Sequence, residues 1–517
     1  MSYKKLIFKS AAVMGSATFI SRILGFIRDM VIARFLGASM YADAFFVAFR
    51  IPNFLRRLFG EGSLTASFIP VFTKYKLNNG ESGANELSSV SFTLLSLILT
   101  FITVLGIIFS PVIVKIVAPG FENEFEKFLL TVKLNRIMFS YIFFISLVAL
   151  SMGILNSLKH FFAPAIAPAL LNIAMIAGAT LFYFLDKNVV YGLALGVVAG
   201  GILQLLLQFV YLKKFNIKIR LNFNFSHPAI KDIAFLMGPS VLGLAITQIN
   251  ILINTLLASF LPTGSVAFLY YADRLIQFPL GIFAVSIGSA VLPMLSEQSA
   301  KNNLNDMEKT VIFAIKLILL ITLPAMVGLI FAGKPIISFL FQRGEFGIPT
   351  LNNVYFAVVG YSAGLWAYAG IRVVVPVYYA FKDTKTPVKI GFFSLIINVV
   401  LSVVLMKFLL HTGLAVATAV SSSFNFLALF FLLKKYITIN KKELFKYFFK
   451  LIPPAFILIF FIKIYCLIVP FSYKWNFASK FFYVIALVAL SGMLYFCSCY
   501  VFRIEEIAIL RKKLKNE

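Results

Sequence analysis

The chain's long apolar runs limit its fold more than any other feature. A helix needs about 20 consecutive apolar residues to cross a bilayer, and this 517-residue sequence has enough such runs for about fourteen crossings. They fall approximately at 10–36, 43–72, 88–118, 129–157, 164–185, 190–212, 233–261, 266–296, 309–333, 350–380, 387–410, 412–433, 446–470 and 478–503. Hydrophobic residues make up 61% of the chain and charged ones 13%, a balance that excludes a soluble globular domain. Spans of a membrane β-barrel are about 10 residues of strict alternation, so uninterrupted runs of this length exclude that class too. The sequence therefore predicts an all-α polytopic membrane protein.

A net charge of +27 would suit nucleic-acid binding if the basic residues formed one soluble face. Outside the runs, however, they sit in short connections. Lys74 and Lys76 follow the second run, Lys159 the fourth, and Lys213, Lys214, Lys218, Arg220 and Lys231 the sixth. Lys301 follows the eighth, Lys382 and Lys385 the tenth, and Lys434, Lys435, Lys441 and Lys442 the twelfth. Connections after odd-numbered runs are nearly free of lysine and arginine or are acidic, as at Glu122, Glu124 and Glu126. The positive-inside rule then places both basic termini in the cytoplasm, as an even number of spans requires, and no nucleic-acid partner is expected.

The chain repeats itself at a constant interval. Met14-Gly15 returns as Met237-Gly238, Pro70 as Pro293, Lys159 as Lys382 and Pro164 as Pro387, each pair 223 residues apart. YGLALGVVAGGILQLLLQFVYLKKF at 191–215 matches TGLAVATAVSSSFNFLALFFLLKKY at 412–436, and Tyr41-Ala42-Asp43 matches Tyr271-Ala272-Asp273 after a small insertion. The shared register indicates a duplication of six spans, giving an N-lobe over 1–222 and a C-lobe over 223–442. Copies with an even number of spans have the same orientation, and such parallel repeats hold substrate at their interface. The last two spans, within 443–517, fall outside the duplication, together with a basic tail.

Function is signalled by charge where a span should have none. The stretch from Ser21 to Glu61 carries Arg22, Arg28, Asp29, Arg34, Asp43, Arg50, Arg56, Arg57 and Glu61. One arginine at mid-bilayer costs roughly 2.5–3.5 kcal/mol on insertion scales, so a cluster of them implies a hydrated or protein-lined cavity. Asp43, Arg50 and Arg57 recur every seven residues and fall on one helical stripe, with Glu61 one turn beyond. Asp29 lies seven residues from Arg22 and is a candidate partner for it. Arg34 suits snorkelling to the interface. Arg50 precedes Pro52, where a kink is expected. The second copy keeps only Asp273, Arg274 and a terminal Glu297 in the corresponding part, and Arg372 is a further cation inside the tenth run. A cationic interior suggests an anionic passenger.

No enzyme signature accompanies these charges. Cys466, Cys497 and Cys499 suggest neither a disulfide framework nor a metal site, and His160, His227 and His411 lack ligand-spaced partners. The N-terminal lysines before an apolar run resemble a signal peptide, but that run continues into the charged stretch instead of stopping at a small-residue cleavage site.

SRILGFIRD, YADAFFVAFRIPNFLRRLFGEGS, SFIPVF, YADRLIQFPLGIF and DTKTPVK resemble the MurJ (MviN) family of lipid II flippases in the MOP transporter superfamily. The resemblance implies a 14-helix bacterial inner-membrane protein. Its two six-helix lobes would enclose a central cationic cavity, and its last two helices would form a groove for the lipid tail. Family cavity residues carry over onto Arg22, Arg28, Asp43, Arg50, Arg56 and Arg274, while Asp29, Arg57, Glu61, Asp273, Gln277 and Arg372 form a second tier of candidates. Gln277 stands where the family pattern has glutamate, so a carboxylate role there is in doubt. The seventh run offers Asn250 and Asn254 but no acid, so the sequence does not support the sodium site of some members, and membrane potential stays open as the driving force. No cofactor or metal is implied. The passenger would be lipid II, whose pyrophosphate and carboxylates suit arginine forks, and cell-wall synthesis proteins are candidate partners. Another transporter of the superfamily, for drugs or other polyprenyl-linked oligosaccharides, is the alternative, as is a cell-wall scaffold without transport.

Overall fold

The structure is a computed structural model and describes residues 3–56 and 64–507. The regular elements among them are eighteen α-helices with short 3-10 and π turns. In chain order these are α1 (Tyr3–Leu36), α2 (Met40–Leu55), α3 (Leu64–Ile108), α4 (Ser110–Val117), α5 (Phe125–Phe139), α6 (Tyr141–Ser157), α7 (Phe162–Phe184), α8 (Val189–Lys214) and α9 (Pro228–Ser259). Then follow α10 (Ser265–Pro279), α11 (Val285–Ala300), α12 (Leu304–Phe331), α13 (Gly333–Phe341), α14 (Ile348–Ser362), α15 (Leu365–Ala380), α16 (Lys385–Leu432), α17 (Lys441–Ile468) and α18 (Phe477–Val501).

The all-helical class is as expected, because only closed hydrogen-bonding within each segment satisfies a backbone placed in lipid. Helix length and apolarity among the described residues do not by themselves reach the expected fourteen spans. Among the described residues nine helices are long and apolar enough to cross a membrane, or ten if the bent pair α14 and α15 is one span. Two of the long helices hold more than one expected run: α3 breaks at Gly80 (φ 64°) and α16 at Leu410 (φ 50°). The runs at 10–36 and 43–72 carry the charges that lower their hydropathy, and part of the second lies outside the described residues.

The chain forms two compact units, 1–267 and 268–517. The break falls inside α10, whereas the sequence repeat turns over near residue 222. The reason is that α9 packs on α3 and α4 and so belongs with the first unit.

Within the first unit, α7 lies along α8, and glycine permits the closeness: a Cβ on Gly192 would meet the Gly178 carbonyl oxygen at 2.3 Å. Small residues at such crossings let helix backbones touch where no hydrophobic drive exists between helices in lipid. In the second unit α15 packs on α11, α12 and α16, while α17 and α18 are held to α12 and α13. Leu320, Val327, Tyr447, Leu451, Leu458, Tyr483, Leu487 and Tyr495 form the core of that attachment.

The duplication survives in backbone detail. Lys159 and Lys382 are both in the left-handed region, at φ 61° and 58°, in the connections before α7 and α16. The residue after each one accepts from a backbone N–H of the helix that follows: His160 Nε2 from Ala163 at 3.4 Å, and Asp383 Oδ1 from Thr386 at 3.0 Å.

Candidate functional site

In the first unit most of the described charges of α1 and α2 are partnered. Arg28 and Asp29 are both buried, with 8% and 3% exposure. The guanidinium donates to Asp29 Oδ1 through Nε at 3.0 Å and Nη2 at 2.7 Å, and to Asn172 Oδ1 of α7 through Nη1 at 2.9 Å. Asn172 Nδ2 in turn donates to the Ser21 carbonyl oxygen at 3.1 Å, so this network fastens α1 to α7. Asp29 therefore pairs with Arg28, its neighbour, and not with Arg22 as the seven-residue spacing suggests. Arg28 can reach across its own turn to the carboxylate while Arg22 points outward, exposed.

Asp43 is 1% exposed, and so is Lys127 of α5. The Asp43 carboxylate accepts from the backbone N–H of Gly264 at 2.7 Å and of Ala267 at 2.9 Å, at the start of α10, and lies 3.1 Å from Lys127 Nζ. A carboxylate at a helix start meets unsatisfied N–H groups and the positive end of the helix dipole. Lys127 also donates to Thr263 Oγ1 at 3.0 Å and sits 4.3 Å above the Phe121 ring. Asp43 thus holds helix ends together and does not present its charge to a cavity.

Arg50 donates to Thr255 Oγ1 and to the Ile251 carbonyl oxygen of α9. Arg56, at the end of α2, donates to Asn53 Oδ1 at 2.7 Å. Arg57 and Glu61 lie outside the described residues. Arg34 is exposed, with its guanidinium over Phe35 at 5.6 Å, as suits a residue at an interface.

In the second unit, Arg274 is half-buried. Its guanidinium stacks on the Tyr270 ring at 4.6 Å and donates to that residue's hydroxyl at 2.8 Å, one helical turn back. Asp273 is half-buried and accepts from Gln277 Nε2 at 3.3 Å, one helical turn on. Arg372 is exposed in α15, and its carbonyl oxygen would be 2.8 Å from a Cβ on Gly288, which marks how closely α11 and α15 approach. Among the described residues, no group of three or more His, Cys, Asp and Glu side chains is placed to hold a metal ion.

The candidates therefore sort by environment. Arg28, Asp29, Asp43 and Arg50 are tied into packing, whereas Arg22, Arg274, Asp273, Gln277 and Arg372 keep exposed surface. Lys127 and Asn172, which complete the two buried networks, went unnoticed in the sequence. Lys127 sits among acidic residues in a connection and Asn172 is one amide in an apolar run, so neither gives a local signal.

A sequence profile of the family described as "Lipid II flippase MurJ" matches residues 32–488. A Vibrio cholerae protein named "Probable lipid II flippase MurJ" is 36% identical over 440 residues, covering 83% of this chain and 83% of that one. A Burkholderia cenocepacia protein named "Lipid II flippase MurJ" is 36% identical over 433 residues, covering 83% and 84%. A solved structure described as "Lipid II flippase MurJ, inward closed conformation" superposes with a TM-score of 0.79 at 28% identity, over 96% of this chain and 100% of that one. An inward-facing multidrug-resistance MATE transporter of the MOP superfamily matches with a TM-score of 0.67 at 16% identity, over 84% and 99%, and shares the fold.

Proposed function

Because the chain belongs to the lipid II flippase MurJ family, we propose that it carries lipid II from the cytoplasmic to the outer leaflet of a bacterial inner membrane by alternating access, making and breaking no bond. The observation that carries the reading is the exposed arginine within otherwise apolar helices, at Arg22 and Arg372, with Arg274 half-buried beside Tyr270. Such cations are tolerated in a bilayer only where water or an anion meets them. A planar fork matches phosphate and carboxylate oxygens two at a time, and lipid II offers both. A drug exporter for cations would need carboxylates instead. The one exposed-side carboxylate among these candidates, Asp273, is held by Gln277.

Both termini lie in the cytoplasm on this reading, α17 and α18 accommodate the lipid tail, and cell-wall synthesis proteins are the natural neighbours. Residues 248–259 of α9 hold no acid, so a sodium site there has no support in the sequence, and membrane potential stays open as the driving force.

The decisive experiment is a leaflet-accessibility assay of labelled lipid II after depletion of the protein. Lipid II should accumulate in the cytoplasmic leaflet, and unchanged outer-leaflet labelling would overturn the function. For orientation, cysteines placed at Lys214 and Lys434 should resist impermeant reagents in intact cells while one at Pro262 labels.

A further inference from the structure

Lysines and arginines gather at the end of α17 and α18 where the charge pattern of the chain calls for few. Lys463, Lys474 and Lys480 lie there with Lys334 and Arg343 of the α13 region, and Glu345 is the one acid in 332–347 and 463–480. The opposite end of α17 already carries the basic cluster Lys434, Lys435, Lys441 and Lys442.

Lys480 is the most constrained of the five, at 6% exposure. Its ammonium donates to Gln342 Oε1 at 2.8 Å, a neutral amide oxygen that also accepts from Ser338 Oγ. An ammonium has three N–H groups, and among the described residues Lys480 has no ion pair. A buried cation is costly unless an anion meets it.

Arg343 is the residue after Gln342. It donates to the carbonyl oxygens of Leu340 at 3.1 Å and Phe339 at 2.6 Å, and its guanidinium lies 4.7 Å from the ring centre of Phe477, the first residue of α18. Phe339 packs on Phe477 at 5.3 Å and on Phe481 at 5.7 Å, so the aromatic set holds both cations beside the first turn of α18. Leu467, Ile468, Phe477 and Phe482 stay exposed around that end, an apolar border that suits acyl chains rather than bulk water.

We propose that the junction of α13 with the start of α18 binds the phosphate of an anionic membrane lipid, with Lys480 as the principal contact and Arg343 beside it. The soluble form of the same chemistry, a free phosphate ion, would gain nothing from the apolar border.

Trp475, five residues before Lys480, packs on Phe471 and Tyr483 at 5.6 Å and supplies the readout once the chain's other tryptophan is removed by Trp366→Phe. The full-length protein is placed in phosphatidylcholine nanodiscs with increasing phosphatidylglycerol, and Trp475 fluorescence and unfolding temperature are followed. The wild type should show a saturable response, Lys480→Met should shift its midpoint roughly tenfold or more, and Lys480→Arg should keep it. In pure phosphatidylcholine, Lys480→Met should be at least as stable as the wild type, which separates lost binding from lost folding. An absent wild-type response, or equal midpoints for wild type and Lys480→Met, overturns the site. A response to inorganic phosphate in pure phosphatidylcholine without one to phosphatidylglycerol overturns the lipid as its occupant. The assay reads binding alone, so its failure is distinguishable from failure of the proposed transport.

Discussion

Tyr41-Ala42-Asp43 and Tyr271-Ala272-Asp273 are the same tripeptide in the two copies of the repeat, yet their aspartates do different work. Asp43, one turn into α2, is sealed against Lys127 and the start of α10. Asp273, in the middle of α10, keeps exposed surface and accepts from Gln277 one turn on. Duplication transmits a backbone position but not the neighbours that meet it. Charge placement has diverged accordingly: the first copy uses most of its charges to bind helices together, and the second leaves Arg274 and Asp273 partly open. A shared motif therefore does not license carrying a functional role from one copy to the other.

The largest contrast is expected between Asp43→Asn and Asp273→Asn. The first removes the buried anion beside Lys127 and leaves it only the half-exposed Glu124 carboxylate at 3.3 Å, and breaking a buried pair costs about 3–5 kcal/mol. The protein should be lost from membranes or its unfolding temperature should fall sharply, with Lys127→Met restoring part of the loss. Asp273→Asn should change stability by less than about 1 kcal/mol, as partly exposed contacts do. Equal losses from the two would erase the contrast.

Arg28→Ala comes next. It removes the guanidinium that pairs with the buried Asp29 and unties Asn172, and hydrogen bonds to charged groups are worth about 1.5–3 kcal/mol. Reduced thermal stability with proportionally reduced growth support is expected. Full stability with lost growth would move Arg28 from packing to substrate contact.

Arg274→Ala should do the reverse, leaving membrane levels intact while lipid II binding weakens roughly tenfold to a hundredfold. Arg274→Lys should rescue only partly if the planar fork matters, and nearly fully if a positive potential is enough. Loss of protein along with growth would return Arg274 to a packing role.

The smallest effect separates the paired connections before α7 and α16. Burial, aided by the nearby Lys214, holds His160 below its ordinary 6.5. The folded connection thus favours the neutral ring, and its stability is level above pH 6.5 and declines as pH falls below it. For Asp383, burial acts to raise the carboxyl, but hydrogen bonds from Thr386 and Tyr436 prevail and set it at about 2. Its contribution is complete above the ordinary 3.8 and is lost only as pH falls toward about 2. Hydrogen exchange between pH 7.5 and 5.0 should therefore rise around residues 158–165 and stay unchanged around 381–388.

Much of the architecture was legible in the chain. Apolar runs fixed the class, and the 223-residue register anticipated the matching left-handed residues Lys159 and Lys382. The cationic stretch was visible because charge in an apolar run is a strong local signal. Lys480 and Gln342 gave none, since they are 138 residues apart and meet only where α13 packs on α18.

The sequence by itself determined that this is a duplicated helical membrane protein with arginines set within its apolar runs, because those properties follow from local composition and period. Only the tertiary structure decided which charges are spent on packing and which stay open. That choice depends on partners distant in the chain: Asn172 for Arg28, Lys127 and the start of α10 for Asp43, and Thr255 for Arg50. A charge's fate in a bilayer is set by what lies within a few ångströms of it, and sequence spacing does not report that distance.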